Sequence, residues 1–485
     1  MAIDQLVQPE DEYSTIATKG LQRKVYLEPT RSQAQTHSLA SVAKHNKPDD
    51  CWVIIQDKVY NVTAWVPRHP GGALIYINAG KDCTQLFDSY HPLYVRAVLD
   101  KFCIGNVVAG PGECAAVQYH QPAAQRQFYT VLRQRVDKHF RKNEISSRAS
   151  IDMYVKTALI LSGLVVSFWG TFFCFSSFWL SALCSVVLGV CMAEVGVSIQ
   201  HDANHGAYSR NTSLEYLLGT TLDIVGASSF MWKQQHVVGH HTYTNVDGLD
   251  PDIRVKDPDV RRVSQHQPWQ SYQAYQHIYL ALLYGLLAIK SILLDDFQSI
   301  STGSIGPVSI SKLTTQEKTV FWGGKLLWLA YFIILPAVKS HHSWAALAAL
   351  WLVSEAVTGW ILALMFQVAH VTPDVAFLQQ KNGTLAHDWA AAQVATTADF
   401  AHGSFFWTHF SGGLNYQVVH HLFPGICHTH YPAIAPIVMD TCKEFNVPYK
   451  VYPTFWSALY AHFSHLQQMG RHGVAVSLPS LATVG

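Results

Sequence analysis

An uncharged stretch of 37 residues, from Thr157 to Ala193, is the feature that most constrains the fold of this 485-residue chain. A helix of about 20 apolar residues crosses the hydrocarbon core of a bilayer, so the stretch predicts two spans joined by a turn near 175–178. Two more candidate spans follow at 319–338 and 344–366, with one charged residue each. The sequence therefore predicts four transmembrane helices arranged as two hairpins.

The composition agrees with a chain that is embedded in a lipid bilayer. Charged residues make up 14% of the sequence, against roughly 25% in soluble domains. The low charge and the 49% hydrophobic content argue against a soluble enzyme and against a disordered chain. The formal net charge of +1 gives no electrostatic reason to expect a nucleic-acid partner.

Changes in composition along the chain predict five segments. The first 34 residues are polar and lack the apolar core of a signal peptide, so we expect no translocation of the N-terminus. The nine cysteines show no CxxC spacing, and no disulfide framework is expected. The segments are a polar tail at 1–34, a small soluble domain at 35–108, a linker and pre-membrane helix at 109–150, a membrane domain at 151–465 and a tail at 466–485.

The charges that flank the spans predict their orientation. Basic residues stay on the cytosolic side of a membrane, and four of them precede the first span: Arg141, Lys142, Arg148 and Lys156. Four crossings then leave the N-terminal domain, the 200–318 loop and the C-terminal part on the cytosolic side. Three shorter apolar stretches are interrupted by charges or prolines and are expected to lie along the interface or to pack within the protein: 214–232, 278–294 and 414–440.

Two histidines of the N-terminal domain are spaced for one haem. His69 opens the string HPGG, and His91 follows Phe87 by four residues. The Pro-Gly-Gly turn projects the first imidazole free of side-chain bulk. A haem held by two imidazoles has no open coordination position, so it carries electrons and binds no oxygen.

Histidines also form three clusters next to the predicted spans, HDANH, HVVGHH and QVVHH. The i,i+4 pairs in the first two share one helix face, and a further histidine follows the fourth span. A buried imidazole needs a polar partner, so packing alone does not explain so many. The clusters contain His201, His205, His236, His240, His241, His420 and His421, preceded by Gln417 in the third, and the further histidine is His370.

The residue types around these clusters narrow the choice of metal. Neutral imidazole suits Fe, Zn, Cu or Ni. The HExxH motif of zinc hydrolases is absent, with Asp202 where its glutamate would stand. The Glu-x-x-His motifs of soluble di-iron bundles are absent too. Many imidazoles beside a membrane, fused to a one-electron haem carrier, point to redox iron that activates O2.

Two resemblances follow from these motifs. Residues 35–108 resemble cytochrome b5, which implies haem b held by His69 and His91. The H-x3-H, H-x3-HH and Q-x2-HH boxes behind such a domain resemble the membrane front-end fatty acid desaturases. The strings that bring the chain nearest to the fungal and algal Δ5 acyl desaturases are QHVVGHHTYTN, DPDVRR, FWGGK, DWAAAQVATTADFAH and LNYQVVHHLFP.

The resemblance implies a fold and a site. The expected fold is a small α+β cytochrome b5-like domain followed by an all-α membrane domain with four transmembrane helices and a cytosolic, histidine-rich cap. The implied di-iron centre is held by the eight clustered histidines, with Gln417 in a ninth position, directly or through water. Three side chains are candidates for fixing imidazole tautomers, with a capping or loop role as the alternative: Asp202, Asn204 and Asp399.

The resemblance also implies an activity. The expected reaction is O2-dependent insertion of a Δ5 cis double bond into C20 acyl chains, carried as acyl-CoA or phospholipid, in the endoplasmic reticulum membrane. Electrons are expected from NADH-cytochrome b5 reductase through the fused haem domain. Two alternatives stay open: a Δ6 or Δ8 acyl or sphingolipid Δ8 desaturase, and a membrane-anchored haem electron carrier without enzymatic activity.

Overall fold

The computed structural model describes residues 35–108, 118–119, 127–253 and 259–471. The predicted N-terminal tail, residues 109–117 and 120–126 of the linker segment, and residues 472–485 of the predicted C-terminal tail lie outside these residues. Within the described part, the chain forms a small α+β domain followed by a helical domain, as the sequence predicts.

The N-terminal domain is built on one five-stranded sheet. Its strand order is β1-β5-β4-β3-β2; β1 pairs parallel to β5 and the other pairs are antiparallel. Alternate side chains of β3 and β4, among them Val53, Ile55 and Tyr60, face a small core that also includes Phe87 and Leu99. The strands are β1 (Thr36–Ser38), β2 (Asn46–Lys47), β3 (Asp50–Ile55), β4 (Lys58–Asn61) and β5 (Cys103–Val108).

Short helices cover the rest of this core and form two walls. The first wall consists of 3₁₀ turns and carries His69, and the second is a helix that ends at Tyr90, with His91 as its C-cap. The helices are Leu39–Val42, Thr84–Tyr90 and Val95–Leu99, and the 3₁₀ turns are Val66–Arg68, Gly72–Tyr76 and Asp100–Phe102.

Four long apolar helices correspond to the four predicted spans. The tight turns between spans 1 and 2 and between spans 3 and 4 lie against each other, since His341 Nε2 donates to the Phe175 carbonyl and His342 Nε2 lies 2.9 Å from Ser181 Oγ. The opposite ends of spans 2 and 4 carry clustered histidines. The spans are span 1 (Ile151–Cys174), span 2 (Phe178–Asn204), span 3 (Thr315–Lys339) and span 4 (Trp344–His370).

A fifth helix, Ser271–Thr302, is also long and apolar enough to cross a membrane. It is broken by a 3₁₀ turn at Tyr284–Leu286 and a π turn at Ser291–Asp295. Its middle packs against span 4, where a Cβ on Gly359 would lie 2.6 Å from the Gly285 carbonyl oxygen. This contact lies eleven residues before the end of span 4, or about 16 Å along that helix.

Both ends of this broken helix nevertheless lie on the side of the histidines. At its start, the Gln276 amide donates to the Arg262 and Leu466 carbonyls. Just beyond its end, Ser311 Oγ donates to the Ile77 carbonyl of the N-terminal domain. Both ends of the broken helix therefore lie on the same side of the helical domain, and the expectation that residues 278–294 do not cross a membrane stays a prediction.

The remaining helices form a cap over the histidine-bearing ends of the spans. The stretches 214–232 and 414–440 belong to it as short packed helices, as expected. Helix Phe128–Lys142 buries Leu132 and Val136 against Tyr431–Glu444. The other helices and turns of the cap are Thr212–Gly219, Thr221–Ile224, Ser229–Trp232, the π turn Lys233–His240, His241–Tyr243, Trp389–Ala395, Phe405–Phe410, Leu414–Tyr416, Gln417–Leu422, His428–His430 and Phe455–Met469.

Three two-residue strand pairs complete the cap. They are β6 (Gln118–Tyr119) with β9 (Thr384–Leu385), β7 (Ser304–Ile305) with β8 (Val308–Ser309), and β10 (Asp399–Phe400) with β11 (Val451–Tyr452).

Candidate metal centre

The eight clustered histidines come together in one chamber at the boundary between the spans and the cap. Spans 2 and 4 end at this chamber, the π turn Lys233–His240 lines its wall, and helix Gln417–Leu422 closes it. None of the eight residues is more than 6% exposed. The structure thus unites residues that are more than 200 positions apart in the sequence.

The ligand nitrogens of these histidines form two adjacent groups. Within each group they lie within 4.8 Å of one another. His241 connects the groups, because its Nε2 lies 3.1 Å from His420 Nε2 of the first group and its ring centroid lies 4.5 Å from that of His421 in the second. The first group is His201, His205, His236 and His420, and the second is His240, His370 and His421.

The chemistry of this donor set fits metal ions. The Nε2 atoms of His201, His205 and His240 are buried and have no hydrogen-bond partner, although buried polar atoms are normally paired. Neutral imidazole nitrogens that face each other at 3.1 Å compete for the same space unless a proton or a cation lies between them. Two cations shared among the eight imidazoles would satisfy all of these nitrogens at once.

The same environment lowers the pKa of most of these imidazoles. Burial, reinforced by the neighbouring imidazoles, holds the pKa values of His205, His241, His420 and His421 well below the usual range. Burial also lowers the pKa of His236 to about 4. Metal binding requires unprotonated imidazole, so these rings have nitrogen lone pairs free for ligation near neutral pH.

Oxygen partners orient five of the rings. Each Nδ1–H donates away from the chamber, which leaves Nε2 directed inward, the arrangement typical of metal-bound histidine. The pairs are His205 with Tyr90 (2.7 Å), His236 with Asp252 (2.7 Å), His240 with Asp250 (2.9 Å), His420 with Tyr431 (3.2 Å) and His421 with Gln393 (2.7 Å).

None of these five partners was predicted from the sequence, which offered three other candidates. Asp202 Oδ1 lies 3.7 Å from His201 Nδ1 and instead accepts from His428 Nδ1–H through Oδ2 at 2.8 Å. Asn204 donates to Gln200 and to the Gly219 carbonyl, and Asp399 accepts from the Val418 amide. For Asn204 and Asp399 these contacts favour the alternative, a capping or loop role, whereas Asp202 lies within ion-pair distance of His201 and its role in orienting that ring stays a prediction.

One sequence signal could have identified two of the missed partners. Asp250 and Asp252 stand in the string DGLDPD, close behind the second histidine cluster. A turn of that composition folds its carboxylates back on the preceding helix, and the structure shows this return. Tyr90, Gln393 and Tyr431 carry no comparable signal in the sequence.

Gln417 occupies the gap between two of the clustered histidines. Its amide nitrogen lies 2.9 Å from His370 Nε2 and 3.3 Å from His421 Nε2, while its Oε1 is buried without a partner. Because the two ends of an amide have the same shape, either can face the chamber. The side chain therefore lies where the sequence predicts a ninth position.

The N-terminal domain holds a second pair of facing imidazoles. The ring centroids of His69 and His91 are 5.8 Å apart. His91 Nδ1–H donates to the Phe87 carbonyl at 3.0 Å, which leaves Nε2 free. Burial and the neighbouring His91 lower the pKa of His69 to about 3, and its buried Nδ1 has no partner.

Gly71 explains why the turn before this pair has the sequence HPGG. A Cβ on Gly71 would lie 2.9 Å from His69 Cε1, closer than side chains tolerate. Gly72 adopts a positive φ of 53°, which favours glycine. The two neutral, opposed imidazoles fit one iron porphyrin with two axial nitrogen ligands.

Comparison with known proteins was made on the whole chain. The family described as "Fatty acid desaturase" matches residues 176–453, and the "Cytochrome b5-like Heme/Steroid binding domain" matches residues 38–108. An acyl-lipid (8-3)-desaturase of Physcomitrium patens is 55% identical over 90% of this chain and 91% of its own length.

Two further relatives cover different lengths of the chain. Delta(5) fatty acid desaturase A of Dictyostelium discoideum is 35% identical over 91% of this chain and 96% of its own length. An sn-1 linoleoyl-lipid 6-desaturase of Synechocystis sp. is 36% identical over 72% of this chain and 96% of its own length.

Proposed function

Because the chain belongs to the fatty acid desaturase family and is a front-end acyl-lipid desaturase with a fused cytochrome b5 domain, we propose that it inserts a Δ5 cis double bond into C20 acyl chains. The substrates would be 20:3n-6, converted to the arachidonic chain, and 20:4n-3, converted to the eicosapentaenoic chain.

The observation that carries the proposal is the chamber of eight buried histidines at the membrane boundary. Iron bound there, with O2 as co-substrate, supplies the hydrogen abstraction that no side-chain acid or base achieves on an unactivated methylene. The proposed ligands are the eight clustered histidines, with Gln417 in the ninth position. Asp250, Asp252, Gln393 and Tyr431 hold the rings so that their Nε2 atoms face inward.

The proposed source of electrons is a haem held by the two imidazoles of the N-terminal domain. His69 and His91 would hold haem b, which passes single electrons and leaves no position open for O2. We propose NADH-cytochrome b5 reductase as the external donor. The basic residues before span 1 favour a cytosolic position for both sites, and the endoplasmic reticulum is the proposed membrane.

Relatives of this chain support the position of the new bond. Delta(5) fatty acid desaturase A shares 35% of its residues with this chain. The sn-1 linoleoyl-lipid 6-desaturase, at 36% identity, keeps Δ6 insertion as the alternative, together with Δ8 insertion into acyl or sphingolipid chains. Regiochemistry depends on how deeply the carboxyl end is held, which small changes of tunnel shape alter.

Expression in yeast fed with defined fatty acids tests the proposal. The culture receives 20:3n-6, 20:4n-3, 18:2n-6 or 18:3n-3, and the new double bond is located by mass spectrometry of derivatised products. We expect bonds at C5 in the C20 acids only, and none with the His421→Ala variant as matched control. New double bonds at C6 or C8 would contradict the Δ5 assignment and favour a Δ6 or Δ8 desaturase.

Iron content tests the non-enzymatic alternative. A desaturase should hold about three iron atoms per chain, one in the haem and two in the chamber, whereas a haem carrier should hold about one. Purified protein that contains haem iron alone, and yields no product in the feeding assay, would favour the electron carrier.

A further inference from the structure

A tyrosine of the N-terminal domain touches a histidine of the metal chamber. The hydroxyl oxygen of Tyr90 lies 2.7 Å from His205 Nδ1, and the two rings are nearly parallel, at 23°. Tyr90 ends helix Thr84–Tyr90, and the next residue is His91, the proposed haem ligand. One peptide bond therefore separates the haem ligand from the residue that contacts the metal chamber.

The local backbone directs these two neighbouring side chains to different places. His91 leaves the helix in an extended conformation, with φ −107° and ψ 138°. Consecutive side chains at the end of a helix already point about 100° apart, and the extended backbone of His91 turns its ring away from the helix. The His91 ring consequently faces His69 in the slot of its own domain, while the Tyr90 ring leaves that domain and reaches His205.

The interface around Tyr90 is packed and hydrogen-bonded. Leu74, Ile77 and Tyr90 of the N-terminal domain pack with Val237 and Val238 of the membrane domain.

Three polar contacts reinforce this packing. The Ile77 carbonyl accepts from both Gln234 and Ser311, and Lys81 donates to the Ser309 carbonyl. Gly425 lies against the tyrosine, since a Cβ there would be 3.2 Å from Tyr90 Cδ1. The hydroxyl is thus held in position from several sides.

We infer that Tyr90 is the electron-transfer bridge between the haem and the metal chamber, an inference that rests on the proposed function. Each transfer oxidises one ferrous haem to ferric haem and reduces one ferric ion of the chamber to ferrous, and no proton is transferred. The path runs from His91 through one peptide bond and the Tyr90 side chain to the hydrogen bond with His205. Electron tunnelling decays less steeply along such bonds than across a gap.

The contact also positions His205. With Nε2 directed to the chamber, Nδ1 carries the proton and donates to the Tyr90 hydroxyl oxygen, as in metal-bound histidines generally. The same phenol therefore fixes the ring of a proposed ligand and links it to the haem. The fused domain would then be part of the metal site and not only a tethered donor.

The test measures electron transfer in full-length, iron-loaded protein in detergent. The haem is reduced by a light flash under anaerobic conditions, and its reoxidation by the ferric chamber is followed by absorbance. Tyr90→Phe keeps the ring and removes the hydroxyl. Ser311→Ala is the matched control, since it removes another hydrogen bond of the same interface. Haem spectrum, haem midpoint potential and iron content are measured for each protein.

We expect Tyr90→Phe to slow haem reoxidation by roughly tenfold or more, the usual effect of losing a partner of a metal-bound histidine. Its haem spectrum and midpoint potential should match the wild type, and Ser311→Ala should transfer electrons at the wild-type rate. Wild-type protein whose reduced haem never reoxidises would contradict the proposed function itself, not the choice of Tyr90.

Two outcomes would overturn the inference. A wild-type rate in Tyr90→Phe would assign the route to another group, such as Trp232, whose ring centroid is 5.4 Å from that of His205. Equal slowing in Tyr90→Phe and Ser311→Ala would show that both substitutions act by weakening the docking of the two domains, and not by removing an electron-transfer bridge. If Tyr90→Phe loses iron, its rate is measured after the chamber is reloaded with iron, and an unchanged rate would then reject the bridge.

Discussion

Asp250 accepts a hydrogen bond from His240 Nδ1 at 2.9 Å, and neither side chain is more than 1% exposed. The same carboxylate also accepts from the backbone amides of Asn245 and Asp252. One buried carboxylate therefore organises the loop that follows the second histidine cluster and aims one of its rings at the chamber.

We expect Asp250→Asn to lose metal and activity together. The amide keeps the shape of the carboxylate but directs an N–H group at a donor, so His240 or a backbone amide loses its acceptor. Loss of a hydrogen-bond partner of a metal-bound histidine costs about 10- to 100-fold in affinity or activity. Iron retained after dialysis against a chelator measures the effect, with the exposed Asp440→Asn as control. Full iron retention in Asp250→Asn would contradict it.

Replacing His69 by alanine should abolish the haem spectrum and leave the chamber loaded. The two ligand sets lie in separate folds, each with its own core, and such domains tolerate local changes independently. Iron content should fall from about three to about two atoms per chain. A cytochrome b5-type spectrum in His69→Ala would contradict the haem assignment, and product formation should fall unless free cytochrome b5 substitutes.

Substitutions of Gln417 should alter the chamber without moving the double bond. An amide is a poorer iron ligand than imidazole, and here it lies between His370 and His421. We expect Gln417→His to keep iron but lose most desaturation, and Gln417→Ala to be worse. The remaining product should still carry its bond at C5. Near-full activity of Gln417→Ala would remove this residue from the site.

The broken helix Ser271–Thr302 should return to the side from which it enters. Gly303 follows this helix in open space, with no atom within 4 Å of a built Cβ. A glycosylation acceptor inserted there should remain unmodified, whereas one inserted in the turn at 340–343, on the opposite face, should be glycosylated. Gel mobility after glycosidase treatment distinguishes the two. Modification at Gly303 would mean that this helix crosses the membrane.

A buried ion pair should hold this helix to span 3. Lys325 Nζ lies 2.6 Å from Asp296 Oδ2 and also donates to the Gly226 and Ile292 carbonyls. Removing one partner leaves the other charge uncompensated, which costs about 3–5 kcal/mol. We therefore expect Lys325→Met to lower the unfolding temperature in detergent strongly. The double variant Lys325→Met/Asp296→Leu should recover most of the loss, and additive effects would show that the pair is not coupled.

Local patterns in the sequence determined the spans and the candidate ligands. The uncharged run from Thr157 to Ala193 requires an apolar environment over two helix lengths, whatever surrounds it. Histidines at i,i+4, such as His201 and His205, share a helix face before any tertiary contact forms. Likewise, the glycine after Pro70 is needed because the turn itself brings the backbone against His69.

Only the tertiary structure decided which groups orient these ligands and how the two sites meet. Tyr431, Gln393 and Tyr90 lie 11, 28 and 115 positions from the histidines they contact, and no helical or strand period relates residues so far apart. The partner of Asp399 could not be predicted for the same reason, since it depends on how helix Gln417–Leu422 docks. The path of helix Ser271–Thr302 likewise depends on the hydrogen bonds that hold its two ends. Its apolar composition alone fits a helix that crosses the membrane as well as one that does not.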